Sequence, residues 1–181
     1  PVGAGKTYAI THILLPWVLK QGWRMLFVSS RTAINTQVKR DIAAVTGEQH
    51  FADELTDCGW QAQRDFEGVT VLTYHALYFE MCDDPNALKK FDILVFDEIH
   101  ALLMDSSFVP YSGYVLNHLR DFWGTKIQLY LTATPEDILP CLTRAEAPYT
   151  LRVIRFRQSY DYVQPYFFHD EMELIRLINE D

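Results

Sequence analysis

Four short apolar runs punctuate the chain: Arg24 to Ser29 (RMLFVS), Val69 to Leu72 (VTVL), Asp92 to Phe96 (DILVF) and Lys126 to Leu131 (KIQLYL). Each is the length of a strand and apolar enough to be covered on both faces. Between them, Lys6 to Lys20, Thr32 to Val45, Tyr74 to Met81 and Tyr111 to Phe122 space their apolar residues as helices do. Strands that alternate with helices fold as an α/β domain with a mainly parallel sheet. Pro16 is expected to kink or break the first helix. The polar stretch from Thr46 to Glu67, with Gly47 and Gly59, reads as a loop with at most a short helix. With 49% hydrophobic residues in 181, the chain has enough apolar material for one core.

The helix from Lys6 opens on P-V-G-A-G-K-T, residues Pro1 to Thr7. This fits the latter part of the phosphate-binding pattern G-x-x-x-x-G-K-[ST], whose Gly-rich turn points backbone N–H groups at phosphate oxygens. In that reading Val2, Gly3, Ala4 and Gly5 line the phosphates of ATP, Lys6 reaches the β and γ phosphates, and Thr7 ligates Mg2+. The plainer alternative is a Gly-rich turn that opens a helix, with Lys6 simply solvated. The first Gly of the pattern and the strand before it are expected to precede Pro1.

Asp92 to His100 reads D-I-L-V-F-D-E-I-H, an apolar strand that runs directly into two carboxylates. With Lys6 and Thr7 in the chain, Asp97 suits the Mg2+-holding role and Glu98 the orientation of the attacking water. An exposed acidic loop after a core strand is the plainer reading. His100, three residues after Asp97, suits a coupling role; a solvated or core histidine is its ordinary alternative.

Taken together these residues resemble the superfamily 2 helicases of the DExH-box (DEAD/DEAH-type) kind. V-G-A-G-K-T resembles their motif I and D-E-I-H, Asp97 to His100, their motif II. L-T-A-T-P, Leu131 to Pro135, resembles motif III, while S-S-R-T-A-I-N-T-Q, Ser29 to Gln37, resembles motif Ia. L-T-Y-H-A-L, Leu72 to Leu77, resembles the T-Y-x-x-L form of the following nucleic-acid-contacting motif. Ile99 stands where Ala is more frequent. The resemblance implies a P-loop NTPase, specifically a RecA-like three-layer domain that binds ATP with Mg2+ and couples hydrolysis to nucleic acid, DNA ahead of RNA. Arg31 and Thr73 would contact backbone phosphates, and Thr132, Ala133 and Thr134 would transmit the nucleotide state. For Arg31 a surface salt bridge, for Thr73 a helix N-cap, and for Thr132 and Thr134 turn-forming hydroxyls remain open alternatives.

Domain limits follow from the same comparison: residues 1–156 as the ATP-binding domain, 157–181 as a linker and the start of a second RecA-like domain. Leu151 to Phe156 reads as one more strand and Asp170 to Asn179 as the helix that opens the second domain. Because that second domain supplies the family's arginine fingers, residues 1–181 alone are expected to hydrolyse ATP negligibly. A restriction-type subunit that moves along duplex DNA, and an ATP-gated nucleic-acid sensor without processive movement, are the competing functions.

The formal charge of -8 argues against binding nucleic acid or anionic membrane by bulk charge. Twelve of the 24 acidic residues fall between positions 61 and 140, among them Asp97 and Glu98, so local contacts would have to supply nucleic-acid affinity. Cys58, Cys82 and Cys141 form no C-x-x-C pair, which points away from a disulfide framework or zinc site and towards an intracellular setting. The longest apolar stretch, Ile10 to Leu19, is interrupted by Thr11, His12 and Pro16 and is too short to cross a bilayer.

Overall fold

The computed structural model describes residues 5–30, 32–48, 57–104, 110–122, 125–134, 136 and 139–140. Its centre is a five-stranded sheet made of β1 (Met25–Ser29), β2 (Asp65–Phe66), β3 (Val69–Thr73), β4 (Ile93–Phe96) and β5 (Ile127–Tyr130). Spatial order is β2-β3-β1-β4-β5; all pairs are parallel except β2 with β3. The parallel α/β architecture read from the apolar runs is therefore present, with strand limits within two residues of those expected.

Strand periodicity divides the core into two layers. Met25, Phe27, Val69, Val71, Ile93 and Val95 face one way, against Ile10, Leu15, Val18, Val38 and Ile42 from helices on that side. Leu26, Val28, Leu72, Leu94 and Phe96 face the other way, against Leu77, Met81, Val115 and Leu119. Burial on both faces is complete for β1 and β4. It is not for β5, where Ile127 is 46% exposed; this strand pairs only with β4 among the described strands, so the expectation of full cover fails there.

Two local details differ from expectation. Pro16 does not end the first helix, which continues to Lys20. Lys6–Tyr8 and Leu15–Lys20 are α-helical and Ala9–Leu14 between them is π-helical. The Leu15 N–H bonds the Ile10 carbonyl, five residues back. A proline ring clashes with the carbonyl four residues before it, and the wider turn immediately upstream accommodates that demand without a break. The stretch before Gly68 contains the short helix allowed for, Asp57–Ala62, and in addition the antiparallel strand β2, which was not expected. The helix is held from outside by Lys39, a buried side chain whose Nζ donates to the carbonyls of Trp60 (2.9 Å) and Gln61 (3.1 Å). Burial, then the Arg64 charge, lowers the Lys39 pKa, yet its position at a helix C-terminus favours a cation.

The limit at residue 156, the strand over 151–156 and the helix over 170–179 lie outside the described residues. No helix among the described residues is long and apolar enough to cross a membrane.

Candidate functional site

Four parallel strands place their carboxyl ends along one edge of the sheet, where ligands of open α/β sheets bind. At that edge the Asp97 N–H donates to the Val28 carbonyl of β1 (2.7 Å), which fixes the residue just past the end of β4. On the other side, the Leu131 N–H donates to the Phe96 carbonyl (2.8 Å) and the Ile99 N–H to the Leu131 carbonyl (3.2 Å). The turn between these ties forces Glu98 to φ 49°, the left-handed region, and no other non-Gly residue described has positive φ. Such a conformation costs a β-carbon residue about 1–2 kcal/mol and persists only where its neighbours impose it.

Glu98 is the hub of the site. Lys6 Nζ lies 3.4 Å from Glu98 Oε1, and His100 Nδ1 lies 3.1 Å from Oε2. The Lys6 contact is longer than a typical charge-assisted hydrogen bond of about 2.7–2.9 Å, so this ammonium is loosely held and can turn its donors to another anion. His100 Nδ1 also lies 3.0 Å from Thr132 Oγ1, and the Thr134 N–H donates to that same oxygen (3.1 Å). One ring nitrogen carries either a proton or a lone pair. Protonated, it donates to the carboxylate; unprotonated, it accepts from the Thr132 hydroxyl. A chain of polar contacts thus runs from Lys6 through Glu98 and His100 to Thr132 and Thr134.

Asp97 is only 4% exposed. Burial, then the adjacent Glu98 charge, raises its carboxyl pKa, while Lys6, the Glu98 backbone N–H and His100 oppose the shift more weakly. Two neighbouring carboxylates of which one is buried are a site that gains from a nearby cation. Among the described residues no group of three or more His, Cys, Asp or Glu could hold a metal alone. Thr7 offers a hydroxyl and Asp97 a carboxylate, hard oxygens of the kind that Mg2+ takes together with waters and phosphate oxygens.

Gly5 caps the first helix at φ 70°, and a Cβ built there would meet nothing within 4 Å. Its glycine is thus required by the backbone and not by crowding. Val2, Gly3, Ala4 and Arg31 lie outside the described residues. Thr73 is the N-cap of the helix Tyr74–Asp83, its Oγ1 accepting from the Ala76 N–H at 3.1 Å; the capping alternative is present, and the side chain stays partly exposed. Thr132 is both a turn former and a partner of His100. Ala133 lies between the two threonines in the same turn.

Three contributors were not identified from sequence. Ser29 Oγ donates to Asn35 Oδ1 (2.6 Å), and Asn35 Nδ2 donates to the Leu72 carbonyl (3.2 Å), so part of the S-S-R-T-A-I-N-T-Q segment ties the ends of β1 and β3 together. Tyr74, only 3% exposed, donates its hydroxyl to the Asp97 carbonyl at 3.0 Å. The signal available was a polar tip at a core-facing position, which an aromatic side chain conceals.

The sequence model of the family described as "Type III restriction enzyme, res subunit" matches residues 1–137. A search of curated proteins finds no match.

Proposed function

Because the chain belongs to the type III restriction enzyme res subunit family, and so carries a P-loop, RecA-like, helicase-like ATPase domain, we propose that it is one half of an ATP-driven motor acting on DNA. The observation that carries this is the continuous path from Lys6 through Glu98 and His100 to Thr132. It links the phosphate-binding helix, the acidic strand end and the following strand end, which are the three places an ATPase must connect to turn hydrolysis into movement.

In this reading Gly5 and Lys6 bind the phosphates, and Thr7 and Asp97 would hold Mg2+, which would supply positive charge against that of the phosphates. Glu98 orients the water that attacks the γ phosphorus. For that, its carboxylate must give up Lys6, and an arriving triphosphate competes for the same ammonium. Release of Lys6 leaves His100 as the partner of Glu98, and the His100 proton then chooses between Glu98 and Thr132. The threonine turn is where nucleotide state leaves the site, while Arg31 and Thr73 take the phosphates of the nucleic-acid strand. The DExH-type subdivision, His100 included, belongs to this proposal.

Family membership favours a second, narrower form of the reading, in which the motor moves along duplex DNA without separating the strands. Full-length protein tests both. Duplex DNA should raise its ATP turnover; a helicase will also release a labelled strand, whereas a translocase will displace a triplex-forming oligonucleotide and leave the duplex intact. ATP turnover indifferent to any nucleic acid would refute the motor.

A further inference from the structure

The Asp97–Glu98 peptide is held by a residue from two strands away. β3 and β4 are not neighbours, since β1 lies between them. Tyr74 follows β3 directly, and its side chain reaches across the end of β1 to the Asp97 carbonyl, a contact wholly inside the protein. We propose that Tyr74 is a positioning residue for ATP hydrolysis, holding the Asp97–Glu98 peptide so that Glu98 keeps its orienting geometry, and that it thereby ties the β3 end to the ATPase centre.

The argument starts from the backbone. Asp97 has left the strand ladder: its N–H still bonds Val28, but its carbonyl is taken by the phenol hydroxyl. That carbonyl belongs to the peptide plane whose far side sets φ of Glu98, and Glu98 sits at φ 49°, where a residue with a β-carbon does not rest unaided. With the hydroxyl removed, a buried carbonyl loses its donor and the plane is free to rotate towards another one. The Glu98 carboxylate moves with it, out of reach of the geometry that Lys6 and His100 now define.

Position gives the contact its second consequence. The residue before Tyr74 is Thr73, the partly exposed cap, and Thr73, Tyr74, Ser30, His75 and Tyr111 line a cavity of about 50 Å³ that opens at the same sheet edge. Anything that seats there and shifts the start of the Tyr74–Asp83 helix moves the hydroxyl, and with it the Asp97–Glu98 peptide.

The inference rests on the motor reading, and one experiment separates the two. In full-length protein, wild-type and Tyr74→Phe are compared for kcat and KM for ATP with and without duplex DNA, for affinity towards a non-hydrolysable ATP analogue, and for thermal unfolding. Phe keeps the ring and its packing. DNA-stimulated kcat should fall about ten-fold or more, the scale of an active-site group misplaced by a fraction of an ångström, while analogue affinity and cooperative unfolding are retained. An unchanged kcat would overturn the proposal. So would a parallel loss of analogue affinity, or loss of the cooperative melt, since either would make the hydroxyl a purely structural support. Wild-type protein without DNA-stimulated turnover would instead refute the motor reading, before Tyr74 is compared at all.

Discussion

Replacing Asp97 by Asn should make the domain more stable while abolishing hydrolysis. The amide has the carboxylate's shape and can still accept from the Glu98 N–H, so packing is preserved and only the charge is lost. In the folded chain that charge is 4% exposed and beside a second carboxylate. Burial and Glu98 together outweigh the help of Lys6, the backbone N–H and His100, because the net shift of the pKa is upward. The sign follows. A carboxyl whose pKa is higher folded than unfolded contributes stability that is fully present below the unfolded value of about 3.9 and is lost as pH rises through the folded value. Wild-type stability should therefore fall as pH rises above about 4, and Asp97→Asn should lack that part of the slope. Near neutral pH the gain should be about 0.5–2 kcal/mol, the scale on which functional sites are traded for stability. For a domain of this size each kcal/mol is about 2–4 °C in the thermal midpoint. The assay is thermal unfolding of both proteins without nucleotide at several pH values, repeated with ATP analogue and Mg2+. Saturating ligand at about 100 times its Kd should add about 2.7 kcal/mol to wild-type and much less to the variant. An Asn variant less stable than wild-type near neutral pH would refute the reasoning, since Asp97 would then be a net favourable charge.

Two further substitutions test other parts. Gly68 sits at φ 71° in the β2–β3 turn, where a Cβ would overlap the tip of the half-buried Leu19 side chain, which can turn aside; Gly68→Ala should cost about 1–2 kcal/mol, chiefly for backbone strain, measured by urea unfolding, and an unchanged midpoint would contradict it. Thr132→Val keeps the shape but removes the oxygen shared by His100 and the Thr134 N–H. It should cost about 1 kcal/mol of stability and depress nucleic-acid stimulation of ATPase more than analogue affinity, and stimulation equal to wild-type would remove Thr132 from the coupling path.

How far the sequence carries depends on whether a residue's job is local. RMLFVS and DILVF announce buried strands because continuous apolar residues have few other uses, and Lys6, Asp97, Glu98 and His100 are legible because each follows a helix start or strand end that the pattern itself predicts. β2 is not legible: two residues, one of them Asp65, carry no periodicity, and pairing with β3 makes it a strand. The Asp57–Ala62 helix contains Gly59, a weak helix former, and depends on Lys39 from another helix. Pro16 was read by its local rule alone, which says nothing of a π-helical turn placed just before it. The site shows the same division. That Lys6, Glu98, His100 and Thr132 stand at helix starts and strand ends was readable; that Glu98 shares its two oxygens between Lys6 and His100, or that Tyr74 crosses β1 to reach Asp97, depends on strand order, which no segment contains by itself.

The central claim is that the Lys6 ammonium and the acidic strand end form an ATPase coupled to nucleic acid. It is tested most directly by steady-state ATP hydrolysis of the full-length protein and its Lys6→Ala variant, each with and without duplex DNA. Wild-type turnover should rise with DNA, and Lys6→Ala should lose the stimulated rate while retaining a cooperative melt. Stimulated hydrolysis that survives Lys6→Ala would contradict the account.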